Sequence, residues 1–399
     1  MINSQPLNIK LEHIFLDGKW HHNQSVTSDN EGKIVIDHSK AKSSQYLTGH
    51  YLPSFVNFHS HAFQYAMAGS GEFFRRGGGE DFWSWRKEMY ALALAISPED
   101  LLTLARVLYL ELLKNGYDTA TEFHYLHHDP NGARYDDPTT MSKVLIKAAE
   151  DVGLNIILSP VYYHNSDFGC KAHYDQRRFT FNSPEEYLTH FQSLKALEKT
   201  NSHLTVLPGA HSLRAAPKEH LIEIYEATKE DFHIHISEQQ KEIDACIQFY
   251  GRRPVEWLLE SISEHQRLQL IHATHLNRNE ISMLSTTGAN VILCPSTESN
   301  LGDGTFALSS FLEQGGSFSI GSDSHVCMSP FDELRILDFS QRLSANARSE
   351  SMGKHKGELG DFLVSHACKV RKSKPYQTHQ NLIKINMQHP LLSIKSENK

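Results

Sequence analysis

Two histidines separated by one residue, His59 and His61, form the first pattern in the chain with a clear chemical use. In an extended strand, side chains two positions apart leave the same face, so both imidazoles point the same way. Two imidazoles at one end of a strand are suitable ligands for zinc. A lone pair of this kind is a weak signal, and it acquires meaning only through partners elsewhere in the fold.

Two later segments, 233–238 and 321–323, offer such partners. His235 lies nearer the C-terminal end of its strand than His233, which we expect to be a buried, hydrogen-bonded residue one layer deeper. Asp323 ends another strand, where a carboxylate either binds a metal or caps a helix, and the sequence leaves both roles open. Three histidines and one aspartate would leave an open position on zinc for a catalytic water.

Glu238 and His272 are placed to move protons. Glu238 follows the histidine strand where it gives way to a loop, and we expect it to shuttle protons between water and a leaving amine. His272 ends the next strand and would stabilise an oxygen on which charge develops. The segment 204–212 contains no lysine that could be carbamylated to bridge two metals, so one metal ion is the simpler prediction.

Short apolar segments alternate with helical patterns from residue 54 onward, and they place these residues at strand ends. Most segments begin apolar and end in polar, chemically capable residues. This order predicts an α/β fold, a (β/α)8 TIM-type barrel whose active site lies at the C-terminal strand ends. A doubly wound open sheet competes, but no glycine-rich phosphate loop follows the first strand. The eight predicted strands are 54–61, 117–125, 153–163, 204–212, 231–238, 268–275, 289–298 and 317–325.

The barrel is expected over residues 53–343, between two smaller segments. Residues 1–52 contain short alternating stretches broken by turn residues, which predicts the N-terminal part of a small β domain. Residues 344–399 predict a C-terminal helix followed, from residue 370, by a polar and basic tail without periodicity, which we expect to be poorly ordered.

Composition excludes several classes of protein. The 399-residue chain has a net charge of −8 and no evident basic face, which argues against a nucleic-acid partner. We find no apolar run long enough to span a membrane and no signal-peptide pattern at the N-terminus. Five scattered cysteines argue against a disulfide framework, and we expect a cytoplasmic protein. The sequence leaves the oligomeric state open, with a homodimer as one option.

Eight stretches resemble the amidohydrolase superfamily in its single-metal deaminase branch, and within it the deiminases that act on N-formimino-L-glutamate. They are NFHSHAFQYAMAG (57–69), DFWSWRKEMY (81–90), TEFHYLHHDPNG (121–132), HIHISEQQKEIDAC (233–246), RRPVEWLLE (252–260), LIHATHL (270–276), CPSTESNLGDG (294–304) and GSDSHVCMSP (321–330). The similarity covers roughly residues 50–343, with many motifs that are specific in order and spacing.

The resemblance implies a site and a reaction. It implies one zinc ion, with room for iron, held by His59, His61, His235 and Asp323. It implies proton transfer by Glu238, His272 and Asp323. In the implied reaction, water replaces the imino nitrogen of N-formimino-L-glutamate, which gives N-formyl-L-glutamate and ammonia.

A small-molecule dicarboxylate substrate needs fixed cationic donors, for which arginine is well suited. Arg86, after the first strand, and Arg214, after the fourth, are the candidates, and Gln64, Tyr125 and His211 lie near the same mouth. Each has a structural alternative. Arg86 could pair with a surface acid, Tyr125 could pack in the barrel, and Gln64 could cap the following helix.

Two other groups draw attention. Trp83, Trp85 and Tyr90 would close a lid over the substrate or pack in a helical core, and the sequence does not choose between these roles. The three histidines within 124–128 suggest a second metal cluster at first sight. No acidic partner at ligand spacing lies in that segment, so we interpret it as a polar loop at the active site.

Two other functions remain open at this point. A related deaminase acting on an aminated ring, of the guanine or cytosine type, would use the same metal site, although a neutral base needs no paired arginines. An inactive metal-binding remnant is the second alternative. Members of the resembling family usually return after the eighth strand to complete the small β domain, and residues 370–399 do not resemble such a return.

Overall fold

The computed structural model describes residues 8–29, 33–38, 45–69, 82–348, 350–368 and 381–385, with only the backbone described for 82–84 and 350. The strands in these residues are β1 (Ile9–Leu16), β2 (Lys19–Ser28), β3 (Ile34–Ile36), β4 (Gln45–Pro53), β5 (Phe55–Ser60), β6 (Tyr117–His124), β7 (Asn155–Tyr162), β8 (Asn165–Asp167), β9 (Cys170–Lys171), β10 (Leu204–Val206), β11 (Gly209–Ser212), β12 (Phe232–Ile236), β13 (Leu268–His272), β14 (Asn290–Leu293), β15 (Ser317–Ile320) and β16 (Leu382–Ile385).

The helices lie mainly between the strands from β5 to β15. They are α1 (Phe82–Ala95), α2 (Pro98–Lys114), α3 (Thr140–Val152), α4 (Pro184–Lys195), α5 (Lys218–Thr228), α6 (Gln240–Tyr250), α7 (Pro254–Ser261), α8 (Arg278–Ser285), α9 (Pro295–Leu301), α10 (Leu308–Glu313), α11 (Pro330–Ala345) and α12 (Leu359–Ala367). Short 3-10 helices cover Ala62–Met67, Tyr174–Gln176, Ala196–Lys199, His265–Arg267 and Glu350–Met352.

Parallel strands form the barrel, and the predicted (β/α)8 architecture is confirmed. Strands β5, β6, β7, β11, β12, β13, β14 and β15 are neighbours in that order. A parallel bridge between Ser60 and Asp323 brings the last strand back to the first. The fourth strand is in two pieces, because β10 and β11 pair separately with β7 on either side of Pro208, which has no N–H to donate.

Helix α2 shows how the sequence sets the outer helices. Ser97 caps its N-terminus, since its hydroxyl accepts from the Asp100 N–H while the Asp100 carboxylate accepts from the Ser97 N–H. Pro98 occupies the first turn, where no N–H is needed. The helix buries a stripe with a spacing of three to four residues that faces the strands: Leu101, Ala105, Leu108 and Leu112.

A small sheet with the order β16-β4-β1-β2-β3 accompanies the barrel. Its own apolar cluster contains Leu11, Ile14, Leu16, Val26, Ile34 and Tyr51. Strand β4 ends at Pro53, and the first barrel strand begins two residues later. The small N-terminal β domain that the sequence predicts is thus present beside the barrel.

The C-terminal segment differs from the expectation at four residues. Leu382–Ile385 form β16, which pairs antiparallel with β4, so the expectation that no strand returns to the small sheet is wrong there. The Asn381 N–H and side-chain amide donate to Asp118 Oδ2, both at 3.1 Å, and tie this strand to the barrel. The rest of the expected tail, 370–380 and 386–399, lies outside the described residues.

Candidate active site

Three histidines meet at the C-terminal ends of β5 and β12. His59 Nε2 and His235 Nε2 lie 3.1 Å apart, and one ring nitrogen each of His59, His61 and His235 falls within 4.8 Å of the others. Asp323 Oδ1 lies 3.4 Å from His59 Nε2 and 3.2 Å from His61 Nε2. Ligand atoms of a tetrahedral zinc site are about 3.3 Å apart when the metal–nitrogen distance is about 2.0–2.1 Å. This spacing fits a metal ion.

The protonation of these side chains also suits a metal. Phe123 O accepts from His61 Nδ1 at 2.9 Å, which leaves the Nε2 lone pair facing Asp323. Burial lowers the pKa of His59 to about 3 and that of His235 well below its usual value, so both imidazoles are neutral. Burial opposes the Asp323 charge, but its close contacts with the His59 and His61 imidazoles hold its pKa well below the usual range.

A polar network holds the first and eighth strands together beneath this cluster. The Asn57 amide donates to Ser322 Oγ at 2.7 Å and accepts from the Ser322 N–H at 3.0 Å. Ser322 Oγ lies 3.0 Å from His325 Nδ1, and the His61 N–H donates to His325 Nε2 at 3.3 Å. At Gly321 a Cβ would come within 2.7 Å of His59 Cβ and 2.9 Å of its backbone, so the close approach of the two strands requires glycine.

Asp323 caps no helix. The next helix, α11, begins at Pro330 and has Ser329 as its N-cap, whose hydroxyl accepts from the Asp332 N–H. Asp323 instead has a left-handed backbone with φ of 48°, and its N–H donates to His59 O at 2.9 Å. This conformation is uncommon for a non-glycine residue and directs attention to a functional role.

Glu238 and His272 lie beside the cluster. His272 Nε2 is 3.7 Å from Glu238 Oε1 and 3.8 Å from Asp323 Oδ2. Burial raises the pKa of Glu238 to about 6. Burial alone would lower the pKa of His272, but Glu238, Glu298 and Asp323 raise it to about 10. Glu242 supports this edge, since it accepts from the N–H groups of residues 237 and 238 at 3.2 Å.

His233 lies deeper in β12, as the sequence predicts. It is 1% exposed, and burial lowers its pKa to about 3. The expected hydrogen bond is not seen, because neither ring nitrogen has a partner among the described residues. Its neighbour Gly209 allows this packing, since a Cβ there would lie 2.7 Å from Ser159 Oγ and 3.1 Å from His233 O.

Arg86 and Arg214 both approach the cluster. Arg86 Nη2 donates to Tyr163 OH at 2.9 Å, and its guanidinium lies 5.2 Å from the centre of the Tyr90 ring. Arg214 is 4% exposed. Burial, together with the charges of Arg214 and Arg86, holds the pKa of His211 well below its usual value, and the His211 ring centre is 5.1 Å from that of His235.

Tyr125 and Gln64 complete the set of predicted site residues. Tyr125 OH lies 3.3 Å from His61 Nε2, and its ring centre lies 5.5 Å from that of His211. Gln64 is 3% exposed in the 3-10 turn directly after His61, and its side-chain Oε1 has no partner among the described residues. It lies inside that turn and does not cap it.

Sequence reasoning missed several residues here. Tyr163 and Gln176 support Arg86, because Gln176 Nε2 donates to Tyr163 OH at 2.7 Å and to Tyr90 OH at 2.8 Å. Tyr163 ends the third predicted strand, a signal that could have found it, whereas Gln176 lies in a three-residue 3-10 helix that leaves no periodicity in the sequence. Glu298 lies within the stretch 294–304 that carries the resemblance, but the sequence assigns it no role.

The aromatic and histidine groups of uncertain role can also be placed. Tyr90 packs on Phe179, and Trp85 is partly buried against the core, whereas the side chain of Trp83 lies outside the described residues. His127 and His128 contact backbone carbonyls of Val161 and Thr180 through Nε2. Among the described residues, groups of three potential ligand atoms within 4.8 Å occur only at His59, His61, His235 and at His272, Cys294, Glu298.

No helix in the described part of the chain combines the length and apolar character that crossing a membrane requires.

The amidohydrolase family model matches residues 51–358. A formimidoylglutamate deiminase of Pseudomonas aeruginosa is 42% identical over 327 residues, which are 81% of this chain and 72% of that protein. A 5-methylthioadenosine/S-adenosylhomocysteine deaminase of Bacillus cytotoxicus is 26% identical over 301 residues, 73% of this chain and 62% of that protein.

Two solved structures also resemble this chain. An amidohydrolase from Brucella melitensis has a TM-score of 0.84 and 37% identity, and the match covers 90% of this chain and 81% of that one. An adenosine deaminase from Xanthomonas campestris with bound zinc has a TM-score of 0.71 at 15% identity, covering 98% and 87% of the two chains. At that identity the second likeness shows the shared fold alone.

Proposed function

Because this chain belongs to the amidohydrolase family, we propose that it is a metal-dependent hydrolase that converts N-formimino-L-glutamate to N-formyl-L-glutamate and ammonia. The observation that carries the proposal is the convergence, at one barrel mouth, of a histidine cluster with the spacing of metal ligands, the Glu238 and His272 side chains, and two arginines. The 42% identity to a formimidoylglutamate deiminase supports the choice of substrate.

One divalent metal ion would be held by His59, His61, His235 and Asp323, with zinc as the first candidate and iron as the alternative. The neutral imidazoles of His59 and His235, the single carboxylate and the spacing of the four side chains support this assignment. When bound, such an ion supplies Lewis acidity and lowers the pKa of a water molecule.

Three side chains would transfer protons or stabilise the charge that forms. Asp323 and Glu238 accept protons from the attacking water, and Glu238 returns one to the departing nitrogen, which leaves as ammonia. The pKa of Glu238, which burial raises to about 6, allows the carboxyl group both to accept and to give a proton near neutral pH. His272 Nε2, between Glu238 and Asp323, stabilises negative charge that develops on the oxygen contributed by the attacking water.

The remaining residues would hold the substrate. Arg86 and Arg214 bind the two carboxylates, and the hydrogen bond to Tyr163 fixes the guanidinium of Arg86 before the substrate arrives. Tyr125 and His211 line the space between the metal cluster and the arginines. The unpartnered Oε1 of Gln64 suits an N–H of the cationic formimino group. Two arginines at one site favour a dicarboxylate substrate over a neutral ring.

The test is turnover by purified protein with measured metal content. We expect ammonia release and N-formyl-L-glutamate, identified by mass, from N-formimino-L-glutamate, and no ammonia from guanine or cytosine. Metal-loaded protein that releases no ammonia from the formimino compound would refute the proposal. Full metal occupancy without any turnover would favour an inactive remnant, against which the return of β16 to the small sheet already argues. A cytoplasmic location and a homodimer remain proposals for fractionation and sedimentation experiments.

A further inference from the structure

Glu298 is a buried carboxylate that the proposed chemistry does not use. It lies in α9, directly after β14, and is 5% exposed. Its Oε1 accepts from the backbone N–H of Cys294 at 2.8 Å and lies 3.3 Å from His272 Nδ1. One oxygen therefore connects the start of this helix to the side chain at the end of β13.

The contact determines how the His272 ring is placed. A carboxylate at Nδ1 holds the hydrogen on that nitrogen, so the other nitrogen, Nε2, is the atom that faces Glu238 and Asp323. A neutral histidine without such a partner could adopt either tautomer and could turn its ring over.

The backbone around His272 is strained. His272 and Ala273 have φ angles of 69° and 51°, in the left-handed region that non-glycine residues seldom adopt. Such a conformation persists only when surrounding contacts hold it. The Ala273 N–H donates to Ile236 O at 3.0 Å, which fixes the backbone, whereas Glu298 is the contact that fixes the side-chain nitrogen Nδ1.

Helix α9 also touches the loop that carries Asp323. Thr297 Oγ1 lies 3.0 Å from Ser324 Oγ and accepts from the Ser324 N–H at 3.2 Å. The same short helix therefore contacts His272 itself and Ser324, the residue after Asp323. The potential ligand group of His272, Cys294 and Glu298 is explained by this hydrogen bonding and needs no second metal.

We infer that Glu298 is a positioning residue for catalysis, which holds the His272 ring so that Nε2 faces the reacting centre. The inference rests on the proposed function, since it assigns a role within that reaction. Glu298 contacts His272 through Nδ1, whereas Nε2 is the nitrogen that faces Glu238 and Asp323, so we expect its effect to pass through His272.

Two substitutions separate a hydrogen-bonding role from a charge effect. Glu298→Leu removes the acceptor, and we expect kcat to fall by about 10- to 100-fold, as for other residues that orient a catalytic side chain, while KM stays within about a factor of three. Glu298→Gln keeps an oxygen at the same position, and we expect it to recover most of kcat. A Gln variant as impaired as the Leu variant would overturn the positioning role.

A double-mutant cycle tests whether the effect passes through His272. We expect His272→Ala to lower kcat strongly and Glu298→Leu to add no further loss in that background. Independent, multiplying losses would overturn the inference. Glu333→Leu is the matched control, because Glu333 is a fully buried glutamate that accepts from the Ser296 N–H of the same helix. It should lower thermal stability and leave kcat within about twofold.

A readout without turnover keeps this inference separate from the proposed function. In protein labelled with 15N in its histidine rings, the signals lost in His272→Ala identify this ring. We expect its Nδ1 to carry hydrogen in the wild type and in Glu333→Leu, and that signal to shift or broaden in Glu298→Leu. An unchanged signal in Glu298→Leu would refute the inference, whichever substrate the wild type hydrolyses. A wild type that is inactive on N-formimino-L-glutamate would refute only the proposed reaction.

Discussion

Replacement of Arg86 by methionine offers a quantitative test of the substrate assignment. In the structure Arg86 donates to Tyr163 OH at 2.9 Å and lies over the Tyr90 ring, so its guanidinium is oriented in advance. A hydrogen bond to a charged group contributes about 1.5–3 kcal/mol, so we expect kcat/KM to fall by about 10- to 150-fold. Tyr163→Phe leaves the guanidinium in place and removes only a hydrogen bond that orients it, so it should cost less, about 2- to 12-fold.

The assay compares three substrates that differ by one carboxylate. N-formimino-L-glutamine lacks the distal charge, and 4-(formimidoylamino)butanoate lacks the proximal carboxylate. The loss caused by Arg86→Met should disappear with one of these two compounds, and the loss caused by Arg214→Met should disappear with the other. The pattern would show which arginine receives which carboxylate.

The matched control is Arg106→Met. Arg106 pairs with Asp151 on the outside of the barrel, with 44% of its side chain exposed, and its loss should leave kcat/KM unchanged. If Arg86→Met retains the wild-type kcat/KM, or loses the same factor with all three compounds, the reasoning about paired arginines is refuted.

Three other outcomes are expected. Asp323→Asn should abolish turnover while some metal remains bound, as measured by elemental analysis, and undiminished activity would contradict its assigned role. Removal of metal with a chelator should lower both activity and the melting temperature, with recovery of both on adding zinc; an unchanged melting temperature would argue against a metal at the buried cluster. Burial, with smaller contributions from His190 and Arg178, lowers the pKa of His124 to about 3, so the unfolded chain takes up a proton that the folded chain does not. The protein therefore loses stability as pH falls below about 6.5, where His124 of the unfolded chain becomes protonated. The free energy of unfolding of the wild type should fall between pH 7 and pH 5 by about 2 kcal/mol more than that of His124→Gln, as measured by urea titration at each pH.

The sequence predicts the barrel well because most of its strands run from apolar to polar. All eight predicted strands have a counterpart, and the residues that meet at the mouth lie at their ends. The strand boundaries are less well predicted. The seventh strand, expected to reach residue 298, ends at Leu293, because Pro295 begins a helix and carries Glu298 away from the strand.

Other parts of the site leave little local signal in the sequence. Strand β16 has only four residues between polar neighbours, so its alternation is too short to distinguish from chance. Gln176 supports Tyr163 and Tyr90 from a short 3-10 helix, and only the folded chain brings these residues together. Periodicity reports which face of an element is buried, but it does not report contacts between distant loops.

The junction between the first and last barrel strands has a consequence for biosynthesis. The His61 N–H and His325 are 264 residues apart in sequence, and the bridge from Ser60 to Asp323 spans a similar length. A nascent chain that still lacks β15 would not present the complete set of proposed ligands, so metal loading would follow closure of the ring. An ion bound there would then hold the two ends of a long loop together and offset part of the entropy that its closure costs. Metal supply during synthesis should therefore affect how much folded protein accumulates, as well as how active it is.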